Sequence, residues 1–471
     1  MSRPLRVAIV GAGPSGMYAA GHLLEGPGGT YVDGHLTSLV DQPVEVDVFD
    51  RLPTQWGLVR HGVAPDHPEK KLAQTVFEHI AARPGFRFFG NIEIGNHVRP
   101  QELSQWYDAV VYAVGASGDT AMGIPGEDLH GCLAARVFVA WYNGHPDYRD
   151  IEVDLSHERV VVIGNGNVAL DVARILTTPI ALLERTDIAD HALEALRNSK
   201  VREVMLLGRR AHFHGAFNNP ELEELGVLDG VDIIVEHGDL PDNHEAVLGE
   251  LDATTRRKLA TLETYANRPL AGHDKRIVLR FLTSPIEVLG EQRVAGLLVS
   301  RNHLERDDSG RLHVRPTSEE AVIDTGLVLR AIGYCGVPLP GLPFDERFGI
   351  IPNVEGRVRG MPATYVTGWI KRGPRGIIGT NKKCARDTVR ALLADARSDT
   401  LPNTGTLIAT DVDRILRQRQ PHLIDQLGWL HIDDKERAAG RAAGRPRIKI
   451  TEIDQLVAAA TGEPAIPANH G

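Results

Sequence analysis

Cysteine is scarce: Cys132, Cys335 and Cys384 are the three thiols in 471 residues, never spaced as C-x-x-C or C-x4-C. That scarcity excludes a disulfide framework, a cysteine-ligated cluster and a redox-active cysteine pair, and it fits a reducing cytoplasm. Long apolar runs are also missing. The stretch from Val7 to Leu24 follows Arg3 and Arg6 and is largely uncharged, but Gly11, Gly13, Pro14, Gly16 and Gly21 interrupt it. No A-x-A-like cleavage site follows, so it is neither a signal peptide nor a membrane span. Positive charge is in deficit, with 52 Lys and Arg against 62 Asp and Glu and a net charge of -10. Nucleic acid and anionic membrane surfaces are therefore excluded as main partners, and an acidic protein partner requires a local basic patch.

Glycine is the residue present in excess, at 48 of 471 positions against a usual share of roughly 7%. Many of these glycines follow apolar runs, where they let the backbone approach a ligand. The first run is Arg6-Val7-Ala8-Ile9-Val10, read as a buried parallel strand, and a helix from Pro14 to about Leu24 follows its glycines. After a glycine-rich loop (Gly26 to Asp33), Val44 to Asp50 reads as a second strand that ends in an acid. The pattern predicts a helix over Glu69 to Arg83, with Pro68 in its first turn.

Two further apolar runs, Asp108 to Gly115 and Gly326 to Gly333, both end on glycine and read as halves of one repeated device. Between them lies a complete second unit: strand Arg159 to Ile163, a glycine turn, a helix to about Leu176, and strand Glu203 to Leu207. The second unit is thus expected as an insertion in the first. Ile277 to Leu282 and Val294 to Ser300 read as antiparallel strands. In the tail, Leu401 to Thr406 reads as a linker and the basic stretch Arg437 to Lys449 as a solvated surface.

Gly11-Ala-Gly13-Pro-Ser15-Gly16 is a G-x-G-x-x-G between a strand and a helix. Its glycines permit the tight turn and close approach to a pyrophosphate, while the helix N-terminus supplies N–H donors. Asp50 can accept the ribose hydroxyls; the glycine-rich insertion lengthens its distance from the fingerprint. Gly164-Asn165-Gly166-Asn167-Val168-Ala169 is the G-x-G-x-x-A form in the same setting. The strand after it ends Leu207-Gly208-Arg209-Arg210, where two guanidinium groups suit a 2'-phosphate and so NADP(H) over NAD(H).

With these fingerprints the chain resembles the adrenodoxin reductase type of ferredoxin-NADP(+) reductase, over Leu5 to Asp387. The segments that carry the likeness are Trp56-Gly-Leu-Val-Arg-His-Gly-Val-Ala-Pro-Asp66-His67-Pro68, Phe88-Phe-Gly-Asn91, Val162 to Asp171, Gly208 to Arg210, and Gly368-Trp-Ile-Lys-Arg-Gly-Pro-Arg-Gly-Ile-Ile-Gly-Thr-Asn381. The resemblance implies an α/β fold of two Rossmann-like dinucleotide-binding domains, with the NADP domain (116–329) inserted into an FAD domain (1–115 and 330–471, with a helical tail). It implies FAD at the first fingerprint, near Gly11, Gly13, Ser15, Gly16, Asp50, Leu58 and Ile94, with Trp369, Gly376, Ile377 and Ile378 approaching the flavin. It places NADP(H) against Asn165, Gly166, Asn167, Val168, Arg209, Arg210 and Glu221. His67 and Glu221 match a polar pair that positions the nicotinamide and relays protons; Pro68 equally allows Asp66 or His67 to cap the helix instead. Many members carry Glu where this chain has Asp50, which shortens the reach to the ribose.

The implied activity is hydride transfer between NADPH and FAD, followed by single-electron transfer to a ferredoxin or similar small acidic iron-sulfur protein. The cofactors carry that chemistry and the chain supplies orientation and electrostatics. A disulfide reductase shares both nucleotide sites but needs the missing cysteine pair. An NADPH-dependent flavin monooxygenase and a non-catalytic NADP(H)-sensing flavoprotein remain as alternatives, separable by substrate-coupled oxygen use and by acceptor reduction.

Overall fold

Leu5–Val10 forms β1, buried along its whole length, as befits a strand covered on both faces. The computed structural model describes residues 3–25, 30–32, 35–37, 43–236, 251–307, 312–402 and 407–462. The expected loop Gly26–Asp33 and linker Leu401–Thr406 lie partly outside these residues. Helix α1 (Pro14–Leu24) follows β1, then β2 (Val44–Phe49), the single-turn helices α2 (Leu58–His61) and α3 (Pro68–Lys71), β3 (Phe86–Phe89) and β4 (Ala109–Tyr112). β1 pairs in parallel with β2 and β4, and β2 with β3. The helix expected over Glu69 to Arg83 divides at Leu72 into α3 and Ala73–Ala81. There the backbone closes over three residues, Leu72 N to Glu69 O and Thr75 N to Leu72 O, tighter than an α-helix allows.

The chain then builds a second sheet from β5 (Cys132–Ala134), β6 (Arg159–Ile163), helix α4 (Asn167–Thr177), β7 (Glu203–Leu207), helix α5 (Asn219–Leu225), β8 (Val231–Val235) and β9 (Lys275–Arg280). An antiparallel meander, β10 (Thr283–Leu289), β11 (Gly296–Arg306) and β12 (Leu312–Asp324), precedes β13 (Leu327–Arg330). The order is β8-β9-β7-β6-β13-β5. The segment from Ile277, expected to be antiparallel, instead lies in parallel between β7 and β8. Its buried run Ile277-Val278-Leu279 suits a strand covered on both faces rather than an alternating one.

After β13 the chain crosses back, with Tyr334–Cys335 pairing against Gly118–Asp119 on the outward path. β14 (Thr364–Val366) rejoins the first sheet beside β4, giving the order Asn353–Val354, Arg357–Val358, β14, β4, β1, β2, β3. The fold is therefore α/β, with one parallel-sheet unit interrupting another. β4 and β13 occupy equivalent positions, each beside the strand that leads into a glycine fingerprint. Helix α6 (Ile378–Arg397) packs on α1, and α7 (Gln426–Ala442) on α8 (Ile453–Thr461). The tail corrects one expectation: Arg447 and Lys449 are buried, 5% and 6% exposed. They face carboxylates of the interior instead of water, Arg447 meeting Asp433 and Glu436, and Lys449 meeting Asp187.

Candidate active site

A cavity of about 600 Å³ opens where the C-terminal ends of both sheets face each other, and both glycine fingerprints contribute to its wall. On the first side Gly11, Gly13, Ser15, Asp50 and Leu58 line it. Gly16 sits just behind, where a Cβ would stand 1.9 Å from the Gly11 carbonyl oxygen, so the strand-to-helix turn closes only around glycine. α1 starts at Gly13 with no side-chain cap, which leaves its first-turn N–H groups and positive dipole end for an anion in the cavity. Ser15 Oγ donates to Asn381 Oδ1 at 3.0 Å, tying α1 to α6. The Asp50 carboxylate is held by Ala12 N at 2.8 Å and Leu52 N at 3.0 Å. Burial pushes its pKa upward against those two bonds.

Trp369, Gly376, Ile377 and Ile378 form the far wall, with the Tyr334 ring 5.3 Å from that of Trp369. Trp369 Nε1 is buried without a partner among the described residues. Ile94 is not brought to the wall; it packs with Phe89, Val98 and Leu103 beneath β3.

On the second side Gly164 takes φ of 126°, and a Cβ there would meet the Ala331 carbonyl at 2.3 Å. α4 begins at Gly166, again without a side-chain cap, and Asn167 and Val168 line the cavity. Asn165 does not; its carbonyl accepts from Ala216 N and Phe217 N at 2.9 and 3.0 Å. Arg209 and Arg210 lie outside the cavity wall, exposed just beyond β7.

His67 and Glu221 both line the cavity but do not bond each other. His67 Nδ1 meets Glu69 Oε1 at 2.9 Å and its Nε2 lies 3.3 Å from Glu224 Oε2. Glu221 Oε1 takes Lys70 Nζ at 3.4 Å, while its Oε2 is buried without a partner among the described residues. The helix-capping alternative fails on geometry: His67 occupies the N-cap of α3 without a capping bond, and Asp66 is engaged by Arg174 at 2.6 and 3.1 Å.

The whole chain matches known proteins closely. It is 48% identical over 466 residues to NADPH-ferredoxin reductase FprA of Mycobacterium tuberculosis, covering 97% of this chain and 99% of that one. The chain belongs to the adrenodoxin reductase type of ferredoxin-NADP(+) reductases. The model of the pyridine nucleotide-disulphide oxidoreductase family matches residues 5–228. The mitochondrial NADPH:adrenodoxin oxidoreductase of Arabidopsis thaliana is 39% identical over 482 residues, 98% of this reductase and 96% of the relative. The structure of Mycobacterium tuberculosis FprA in complex with NADPH superposes with a TM-score of 0.91 over 98% of this reductase and 100% of that chain.

Sequence reasoning overlooked several groups in this reductase's site. Lys70 lies three residues after His67 and reaches Glu221, a spacing that one helical turn makes adjacent. Asp171 lines the cavity, its carboxyl pushed upward by burial against the pull of Arg174. His61, His145 and Tyr148 line one wall with their rings tilted against one another, centroids 4.9 and 5.0 Å apart. No spacing rule joins residues 61 and 145; only the packing of α2 on the second unit does.

Proposed function

We propose that this chain is an FAD-dependent NADPH:ferredoxin reductase, with FAD held by 1–115 and 330–471 and NADP(H) by 116–329. The observation that carries the reading is a single cavity walled by two glycine fingerprints, each opening an uncapped helix N-terminus. Two dinucleotides entering from opposite ends would meet within it. The residues present fit both cofactors. Asp50 presents a fixed carboxylate to a ribose, α1 and α4 offer free N–H groups to pyrophosphates, and Trp369 Nε1 and Glu221 Oε2 are buried polar atoms that a ligand can satisfy. When bound, FAD supplies the exchange between two-electron transfer from NADPH and one-electron transfer to an iron-sulfur acceptor.

The chain's own part is positioning. Arg209 and Arg210 would fork onto the 2'-phosphate, while Glu221, steadied by Lys70, and His67, steadied by Glu69, would hold the nicotinamide and accept or return protons at its edge. Tyr334 and Trp369 close the far wall against water. Burial drives the Tyr334 phenol up to about 12, so it stays neutral beside the reacting rings.

The acceptor's docking face is proposed at the exposed cations Arg375, Lys382 and Lys383, which suit a small acidic iron-sulfur protein. The neighbouring cations Lys371 and Arg372 do not join this face; they turn inward onto Thr388 Oγ1 at 2.9 Å and Asn381 Oδ1 at 2.8 Å. No helix among the described residues is long and apolar enough to cross a membrane, and three unpaired thiols accord with a cytoplasmic setting. The test is to purify the protein, identify its flavin and follow NADPH-driven ferredoxin reduction through cytochrome c. One non-covalent FAD and a rate lowered by charge reversal at Lys382 and Lys383 and by salt are expected; FMN, or no flavin after reconstitution, refutes the reading.

A further inference from the structure

The helix α3 carries His67 at its front and Lys70 on its cavity side, yet it is a single turn, too short to hold its own position. Its rear is fixed by Lys71, whose Nζ donates to Asp187 Oδ1 and Oδ2 at 2.5 and 2.7 Å. Asp187 belongs to the inserted unit. The same carboxylate receives Lys449 Nζ at 3.1 Å, and Lys449 also donates to Asn143 Oδ1 at 3.2 Å. The side chains of Lys449, Asp187 and Lys71 are 0%, 7% and 10% exposed.

Lys449 comes from the C-terminal tail, more than 370 residues after Lys71 in the chain. The tail is fastened on both sides of this contact. Arg445 binds the carbonyls of Thr186 and Ile188 and the carboxylate of Asp190, gripping the loop that carries Asp187. Ile448 N and Ile450 N bond Glu436 of α7, which in turn pairs with Arg60 of α2. Both units and the tail therefore converge on α3 from behind, while the cavity lies in front.

We propose that Lys449, through its shared carboxylate Asp187, is a positioning residue that locks α3 and so sets His67 and Lys70 against Glu221 across the two units. This rests on the NADPH-to-flavin reading above. Burial lowers the pKa of Lys449 and of Lys71; burial opposes the ionised Asp187, but the two ammonium groups hold it well below the usual range. Such a lock is stiff because its groups are buried away from solvent, where a lost partner is costly to replace, and it acts on alignment without touching either cofactor.

The test uses the full-length, FAD-loaded protein with Lys449→Met, Asp187→Asn and the double variant. Single-turnover flavin reduction at saturating NADPH should slow by about tenfold to a hundredfold, the range expected for a displacement near 1 Å. The NADPH dissociation constant should move by less than about threefold and FAD occupancy should hold. The long-wavelength absorbance of stacked nicotinamide and flavin should weaken in parallel, and the double variant should be no worse than the worse single one. Hydrogen exchange at the amides of His67 and residues 69–72 should accelerate. Unchanged reduction and absorbance in a folded variant, or losses that merely track lost FAD, overturn the proposal. If Lys449→Met does not fold, Arg445→Ala carries the same expectations and the same refutation. If the wild-type flavin is not reduced by NADPH, the functional reading fails, and hydrogen exchange at α3 alone then decides whether the lock exists.

Discussion

Replacing Glu436 by Gln removes one charge from the most buried ion pair that joins tail and first unit. Arg60 and Glu436 meet through two parallel bonds of 2.7 and 2.5 Å, with side chains 1% and 0% exposed. Arg447 at 3.1 Å and Ile450 N at 2.8 Å complete the carboxylate's donors. Burial opposes the charged carboxyl, yet Arg60 and Arg447 outweigh it and hold its pKa below the ordinary range. The stability linked to that depressed pKa is present in full above the unfolded value and is lost as pH falls below it, so the effect of the substitution is largest near neutrality. Arg447 keeps Asp433 at 2.6 Å, whereas Arg60 is left without a counter-charge. Removing one partner of such a pair costs about 3–5 kcal/mol, which for a unit of this size lowers Tm by roughly 10 °C.

The assay is a urea titration at fixed FAD concentration, because ligand shifts apparent stability. Intrinsic fluorescence is well placed: the rings of Trp56 and Trp429 lie 4.8 Å apart, with Arg447 and Arg60 over their faces. Arg60→Met paired with Glu436→Met should be less destabilising than either single change, since an apolar pair leaves no stranded charge. A Glu436→Gln protein within about 1 kcal/mol of wild type, far below the buried-pair range, refutes the reasoning.

Three further outcomes follow from the same geometry. Arg209→Ala with Arg210→Ala should raise the Michaelis constant for NADPH by about one to two decades per lost contact and leave NADH kinetics and FAD content almost untouched; equal losses for both nucleotides, measured in steady state, would assign the arginines to folding or the pyrophosphate. Glu221→Gln or His67→Gln should slow flavin reduction by NADPH without releasing FAD, and unchanged stopped-flow rates return both residues to structural roles. Burial depresses His145 from 6.5 to about 4, and His61 also falls well below 6.5. The unfolded chain therefore takes up those protons first, so the stability linked to His145 is full above pH 6.5 and falls toward pH 4 by about 1.4 kcal/mol per pH unit, with His61 acting in the same direction. His145→Phe should flatten the dependence of the urea midpoint on pH, and an unaltered slope would contradict the assignment.

Local pattern alone determined the elements around the two fingerprints. β1 and β6 are short apolar runs, each followed by a turn that closes only with glycine, and such turns are written in adjacent residues. The insertion of one unit in the other was legible for the same reason, since the apolar runs of β4 and β13 end on glycine in corresponding places. The parallel pairing of β9 was not legible, because a strand's partners depend on what covers its faces, and period-two alternation does not report that. Nor was the tail's burial. Arg437 to Lys449 reads as a solvated basic stretch until Asp187 of the inserted unit and Asp433 and Glu436 of α7 are brought against it. Tertiary structure alone also brought the cavity's two units together: His67 is steadied by its close sequence neighbour Glu69, but Glu221 is steadied by Lys70, 151 residues away on the other unit. A residue's type sets which bonds it can form, but burial and long-range approach choose among them, and neither quantity is local in sequence.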